Sequence, residues 1–189
     1  MTPVTTQRRA SIIHGYSASP EDHWFGWLGE QLEADEIPTT IPALPTPQNP
    51  DPTQWADVVR RSVGTPDENS IVVAHSLGCL AVLRHLQSLR TPWRVGTLVL
   101  VSGFVDPLPA FPELDAFIGA GCDTAGISTR VDRLTLLRSD ADPYVPPNHT
   151  DRLAALLNTN AQIIQGAGHF LASDGVTALP EALRAVTPQ

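Results

Sequence analysis

The chain has 189 residues, 42% apolar and 17% charged, with a formal net charge of −8 at pH 7. That length suits one domain, 1–189, with a good-sized core, and the composition is globular rather than disordered. The acidic balance argues against nucleic acid as a partner, and no run approaches the roughly 18 apolar residues of a membrane span. Met1 to Arg9 is polar and has no apolar leader stretch, so cytoplasmic residence is expected.

In chain order, six apolar runs recur at intervals suited to βα alternation. The strand Ala10–His14 is followed by helical spacing over Trp24–Asp35, and Thr39–Leu44 by Trp55–Val63. The strand Ser70–Ala74 leads into a helix at Gly78–Leu89, and Gly96–Ser102 into Phe104–Val131. That last stretch, rich in Pro, Gly and Ala, reads as loop with at most a short helix near Leu114–Ile118. Leu134–Ser139 precedes a helix at Asn148–Leu157, and Ala161–Gln165 precedes one at Leu179–Ala185. Pro42 to Thr53 holds five prolines, too many for a regular element. Strands that are continuously apolar are buried on both faces, so the pattern predicts an α/β fold. The expected sheet is six-stranded and mainly parallel, in spatial order 2-1-3-4-5-6, and flanked by helices.

The basic residues narrow the chemistry. All 12 are arginine. Without lysine there is no Ser-Lys dyad, no Schiff-base enzyme and no P-loop nucleotidase. HExxH, CxxC pairs and GxGxxG are also missing, so neither a metal nor a cofactor is expected. Cys79 and Cys122 need not be oxidised, and the sequon at Asn148-His149-Thr150 reads as chance in a chain without an export signal.

What remains points to a serine. Ala74-His75-Ser76-Leu77-Gly78 lies between an apolar strand and a helix, the setting of a nucleophile elbow. There a strained turn lifts the hydroxyl clear of both elements, and small neighbours such as Gly78 and Ala74 leave room for it. Ala74 stands where the pattern usually has glycine. Asp142 then follows the fifth strand and His169 the sixth, the order Ser…Asp…His of α/β-hydrolases. A serine hydroxyl needs an imidazole to take its proton, and a carboxylate to hold that imidazole in the right tautomer. Asp106, after the fourth strand, competes with Asp142 for the last role, whereas Asp140 reads as a turn-capping or solvated residue. An acyl-transfer oxyanion needs two N–H donors. Leu77 supplies one and Tyr16, after His14-Gly15, the other, with Ser17 or Ala18 as alternatives.

The chain resembles the small α/β-hydrolases related to retinoblastoma-binding protein 9 and similar bacterial hydrolases. The resemblance rests on Ile12-Ile13-His14-Gly15, Asp22-His23-Trp24-Phe25-Gly26-Trp27-Leu28, the elbow, Asp142-Pro143 and Gly168-His169-Phe170. It implies a compact hydrolase without a large cap domain, active on small esters, with Ser76, Asp142 and His169 as its triad. The retinoblastoma-protein partnership implied by the name does not carry over, because Leu77-Gly78-Cys79-Leu80-Ala81 lacks the glutamate of LxCxE.

For substrate contacts the candidates are Trp24 and Phe25, beside the oxyanion loop, and Phe104 and Phe170, beside the catalytic loops; each could equally be core. His14 and His75 are expected to hydrogen-bond locally, and His23, His85 and His149 to lie at the surface. The expected function is hydrolysis of short-acyl esters, with a small-molecule ester or amide as the substrate. An amidase or acyltransferase using the same triad, or a catalytically idle binding module, are the alternatives.

Overall fold

The apolar runs pair side by side into one sheet in the computed structural model, which describes residues 7–187. Met1 to Thr6, most of the polar N-terminal stretch, lie outside the described residues. The strands are β1 (Arg9–Ile13), β2 (Thr39–Thr40), β3 (Ser70–His75), β4 (Val95–Val101), β5 (Val131–Ser139) and β6 (Ala161–Ile164). Their order is β2-β1-β3-β4-β5-β6, every neighbouring pair is parallel, and Val72 sits beside Leu98, which sits beside Leu134.

Successive residues of a strand point to opposite faces, so strands buried on both sides must be apolar throughout. Val72, Ala74, Leu98 and Leu100 face one half of the core. There they meet Trp55 and Val59 of α2 (Pro52–Val63), α3 (Leu77–Ser88), and Leu153 of α5 (Pro147–Leu156). Ile71, Val73, Val99 and Val101 face the other half, covered by α1 (Phe25–Ala34) and α6 (Pro180–Val186). α2 shows how local chemistry sets a boundary. The Asp51 side chain accepts the Gln54 N–H at 2.8 Å, Pro52 opens the helix, and Gly64 at φ 60° ends it.

β2 is shorter than the Thr39–Leu44 expected, and the reason is local. Pro42 has no N–H to give a ladder, so the chain leaves the sheet, and the Leu44 N–H goes instead to His14 Nε2 at 3.0 Å. The 104–131 stretch is mostly irregular. A 3₁₀ turn at Pro112–Leu114 runs into α4 (Asp115–Ile118). Arg84 of α3 pins this segment by donating to the carbonyls of Gly121 (3.0 Å), Phe117 (2.8 Å) and Ile118 (2.5 Å). Among the described residues no helix is long and apolar enough to cross a membrane.

Candidate active site

Parallel strands bring their C-terminal ends to one edge, and the loops leaving β1, β3, β4, β5 and β6 converge there. Ser76 turns the chain from β3 into α3 at φ 54° and ψ −124°, a conformation L residues rarely adopt. Two glycines permit that turn. A Cβ on Gly78 would stand 2.8 Å from the Ile13 carbonyl oxygen and closer still to that of His14. One on Gly15 would stand 3.0 Å from the Ser76 Cβ. The end of β1 therefore lies directly across the elbow.

Ser76 and His169 are both 7% exposed. The Ser76 Oγ lies 3.0 Å from His169 Nε2, and His169 Nδ1 lies 2.7 Å from Asp142 Oδ2. Because a carboxylate can only accept, Nδ1 carries the proton, and Nε2 presents its lone pair to the serine hydroxyl. Asp142 is nearly inaccessible, its side chain 2% exposed, yet its oxygens are well supplied with donors. Oδ2 also accepts from the Ser102 hydroxyl at 3.0 Å, and Oδ1 accepts the N–H groups of Tyr144 and Val145, both at 2.9 Å. Asp106 instead pairs with Arg152 at 2.7 Å on the surface, and Asp140 accepts the Gly166 N–H at 2.7 Å.

The His169 loop is tied down by two side chains. Asp174 Oδ2 accepts the N–H of His169 at 2.8 Å and that of Leu171 at 3.1 Å. His75 Nε2–H donates to the His169 carbonyl at 2.9 Å, and the two rings lie 4.8 Å apart. Burial drives the His75 pKa well down, so this ring is neutral. Ser102, Asp174 and His75 thus support the constellation, although sequence reasoning found none of these contacts. Ser102 did carry a signal, as a serine at a strand's C-terminal end followed by glycine.

Among the described residues the N–H groups of Tyr16 and Leu77 have no protein acceptor, whereas the Ser17 N–H donates to Pro47 O at 2.8 Å. Ser17 is thereby removed as an oxyanion donor. Leu77 opens α3, where the helix dipole favours negative charge.

The serine and histidine open into a cavity of about 310 Å³. One wall is aromatic: Tyr16 and Phe111 have ring centres 5.5 Å apart, Phe111 and Tyr144 5.3 Å, and Tyr144 and His169 5.5 Å. Leu108, Leu114, Val145, Ser17, His23 and Leu171 also line the cavity. The expected aromatic contacts need correction. Trp24, Phe25, Phe104 and Phe170 are all fully buried and absent from the cavity wall. Trp24 and Phe25 pack edge-on to each other (centres 4.8 Å) under His75, and the other two fill the core on opposite faces of the sheet. His23, expected at the surface, lines the cavity, and His85 is buried with Nε2 donating to Gly64 O at 2.6 Å. Neither cysteine is an activated thiol: burial pushes Cys79 far up and Cys122 up to about 11.

A parallel six-stranded sheet with a strained serine between its central strand and the next helix defines an α/β-hydrolase. A family model described as serine hydrolase matches residues 10–187, and the chain belongs to that family. It is 37% identical over 173 residues to YdeN of Bacillus subtilis (strain 168), covering 92% of this chain and 91% of YdeN. The crystal structure of the B. subtilis ydeN gene product superposes with a TM-score of 0.89 at 36% identity, over 94% of this chain and 96% of that one. The serine hydrolase RBBP9 of Rattus norvegicus is 23% identical over 151 residues, 78% of this chain and 77% of RBBP9. An esterase domain from a Rhodothermus marinus protein shares the fold, with a TM-score of 0.61 at 18% identity over 98% of this chain and 91% of that domain. The protein is therefore an enzyme of the serine hydrolase type.

Proposed function

We propose that this hydrolase cleaves small, short-acyl carboxylic esters through an acyl-serine intermediate. Ser76 is the nucleophile, His169 the general base and then acid, and Asp142 the residue that orients His169. The observation that carries the reading is the unbroken hydrogen-bonded chain from Ser76 Oγ through both nitrogens of His169 to Asp142 Oδ2.

In the first half-reaction Ser76 Oγ attacks the ester carbonyl while its proton passes to His169 Nε2. The N–H groups of Leu77 and Tyr16 hold the negative oxygen of the tetrahedral intermediate. His169 then gives its proton to the leaving alkoxy oxygen, and the acyl group stays on Ser76. Water, deprotonated by the same imidazole, attacks the acyl carbon and releases the carboxylic acid and the free serine. No cofactor enters these steps. The arrangement asks nothing of the substrate beyond a carbonyl and a leaving group, and the pocket supplies the selection.

A cavity of about 310 Å³, at the small end for ligand pockets, supports a small substrate. Its apolar and aromatic wall, with no arginine on it, supports uncharged acyl groups. The test is a series of 4-nitrophenyl esters from acetyl to dodecanoyl. kcat/KM should peak at acyl chains of about two to six carbons and fall at least tenfold by dodecanoyl. A maximum at the longest chains would remove the short-acyl assignment.

A further inference from the structure

His23 is the one imidazole on the cavity wall that the proposed mechanism does not use. It sits just ahead of α1 at φ 56°, a strained position for a residue with a side chain. The Ala172 N–H donates to its Nδ1 at 3.0 Å. Nδ1 must then be the bare nitrogen, so the neutral ring carries its proton on Nε2. Nε2 makes no hydrogen bond among the described residues and is not one of their buried orphaned polar atoms, so it is accessible, in a side chain that lines the cavity. Burial lowers the pKa of this ring, in keeping with a neutral N–H donor.

Its location indicates which part of a substrate it meets. In ester cleavage the leaving oxygen takes its proton from His169, so the alcohol half departs along the His169 side of the cavity. That side is built by the chain just after His169: Leu171 is on the wall, and Ala172 holds His23. The aromatic wall of Phe111 and Tyr144 comes from other loops. Tyr144 meets the His169 ring from one direction, and the segment that follows His169 holds the His23 ring on the wall from another.

We infer that His23 Nε2–H is a substrate-binding donor for the alcohol half of the ester, selecting leaving groups that carry an acceptor oxygen. This rests on the esterase reading above and adds the chemical class of the leaving group to it. Acetate esters of simple hydrocarbon phenols would leave that donor facing nothing but water. Those bearing an ether or similar oxygen would satisfy it.

The test compares isosteric pairs of aryl acetates, (methoxymethyl)phenyl against propylphenyl, at the meta and para positions. Each pair differs by one oxygen in place of a methylene. The variant is His23→Asn, because asparagine tolerates positive φ and its Oδ1 can still accept the Ala172 N–H. It is too short to present a donor where Nε2 stands. The ratio of kcat/KM, ether over hydrocarbon, should fall roughly 3- to 10-fold on going from the native protein to His23→Asn in at least one position, the worth of one neutral hydrogen bond. A change below twofold at both positions, including an equal loss on both esters, would overturn the inference and assign His23 a structural role. Absence of hydrolysis of any of these esters by the native protein would instead overturn the esterase reading, and this inference with it.

Discussion

The carboxylate of Asp142 takes all its donors from the protein. One oxygen receives the His169 and Ser102 protons and the other receives two backbone N–H groups. Replacing Asp142 by asparagine would put an NH₂ opposite at least one of those donors and favour the wrong imidazole tautomer. Asp142→Asn is expected to lower kcat at least ~10²-fold with the fold retained. Asp106→Asn should stay within about tenfold, because that side chain serves a surface ion pair with Arg152. Asp140→Asn should do the same, since asparagine can still accept the Gly166 N–H. Steady-state kinetics on one short ester decide it, and a crippled Asp106→Asn would contradict the assignment. The juxtaposition of Ser76, Asp142 and His169 was legible because each follows an apolar strand in an order with chemical meaning. The supports were not: Ser102 meets Asp142 across 40 positions of sequence. The aromatic residues misled for a related reason. An aromatic side chain in the core and one on a cavity wall look alike in sequence, so Phe104 was expected where Phe111 and Tyr144 stand.

At the scale of elements, the strain at Ser76 is held by the crossing of β1 over the start of α3, and that crossing has no room for a methyl group. Gly78→Ala would push a Cβ into the carbonyl oxygens of Ile13 and His14, which are backbone and cannot swing away. A loss of about 1–3 kcal/mol in urea unfolding is expected, together with lower activity as the elbow shifts. Gly26 in α1 is the control: a Cβ there meets nothing within 4 Å. Gly26→Ala should stabilise by up to about 1 kcal/mol. Similar losses at both glycines would contradict the packing argument. Strand order was legible because βα alternation restricts parallel connections to few topologies. The length of β2 was not, since the apolar Ile41, Ala43 and Leu44 continue the pattern after the pairing has ended at Thr40. Nor could the sequence tell that Arg84 would fold the irregular 104–131 stretch against α3, because its carbonyl partners lie more than 30 residues away.

Across the whole molecule, three histidines besides His169 are buried: His14, His75 and His85. Desolvation is the largest cause lowering each of their pKa values. The unfolded chain therefore binds protons below about pH 6.5 that the folded protein does not, and stability falls as pH drops through that window. Each such histidine contributes a slope of up to about 1.4 kcal/mol per pH unit. His85→Gln removes one titration while an amide N–H can still reach Gly64 O. Urea unfolding between pH 6.5 and 5 should then show a shallower loss of stability than the native protein, and an unchanged slope would contradict the assignment. In the proposed mechanism activity rests on one atom, the Ser76 Oγ, and a fluorophosphonate probe reacts with an activated serine whatever the natural substrate. The account predicts labelling of the folded protein on Ser76 alone, mapped by peptide mass spectrometry, with Ser76→Ala unlabelled and its ester hydrolysis reduced about 10³-fold or more. Labelling at another serine, or Ser76→Ala hydrolysing esters at near-native rates, would contradict it.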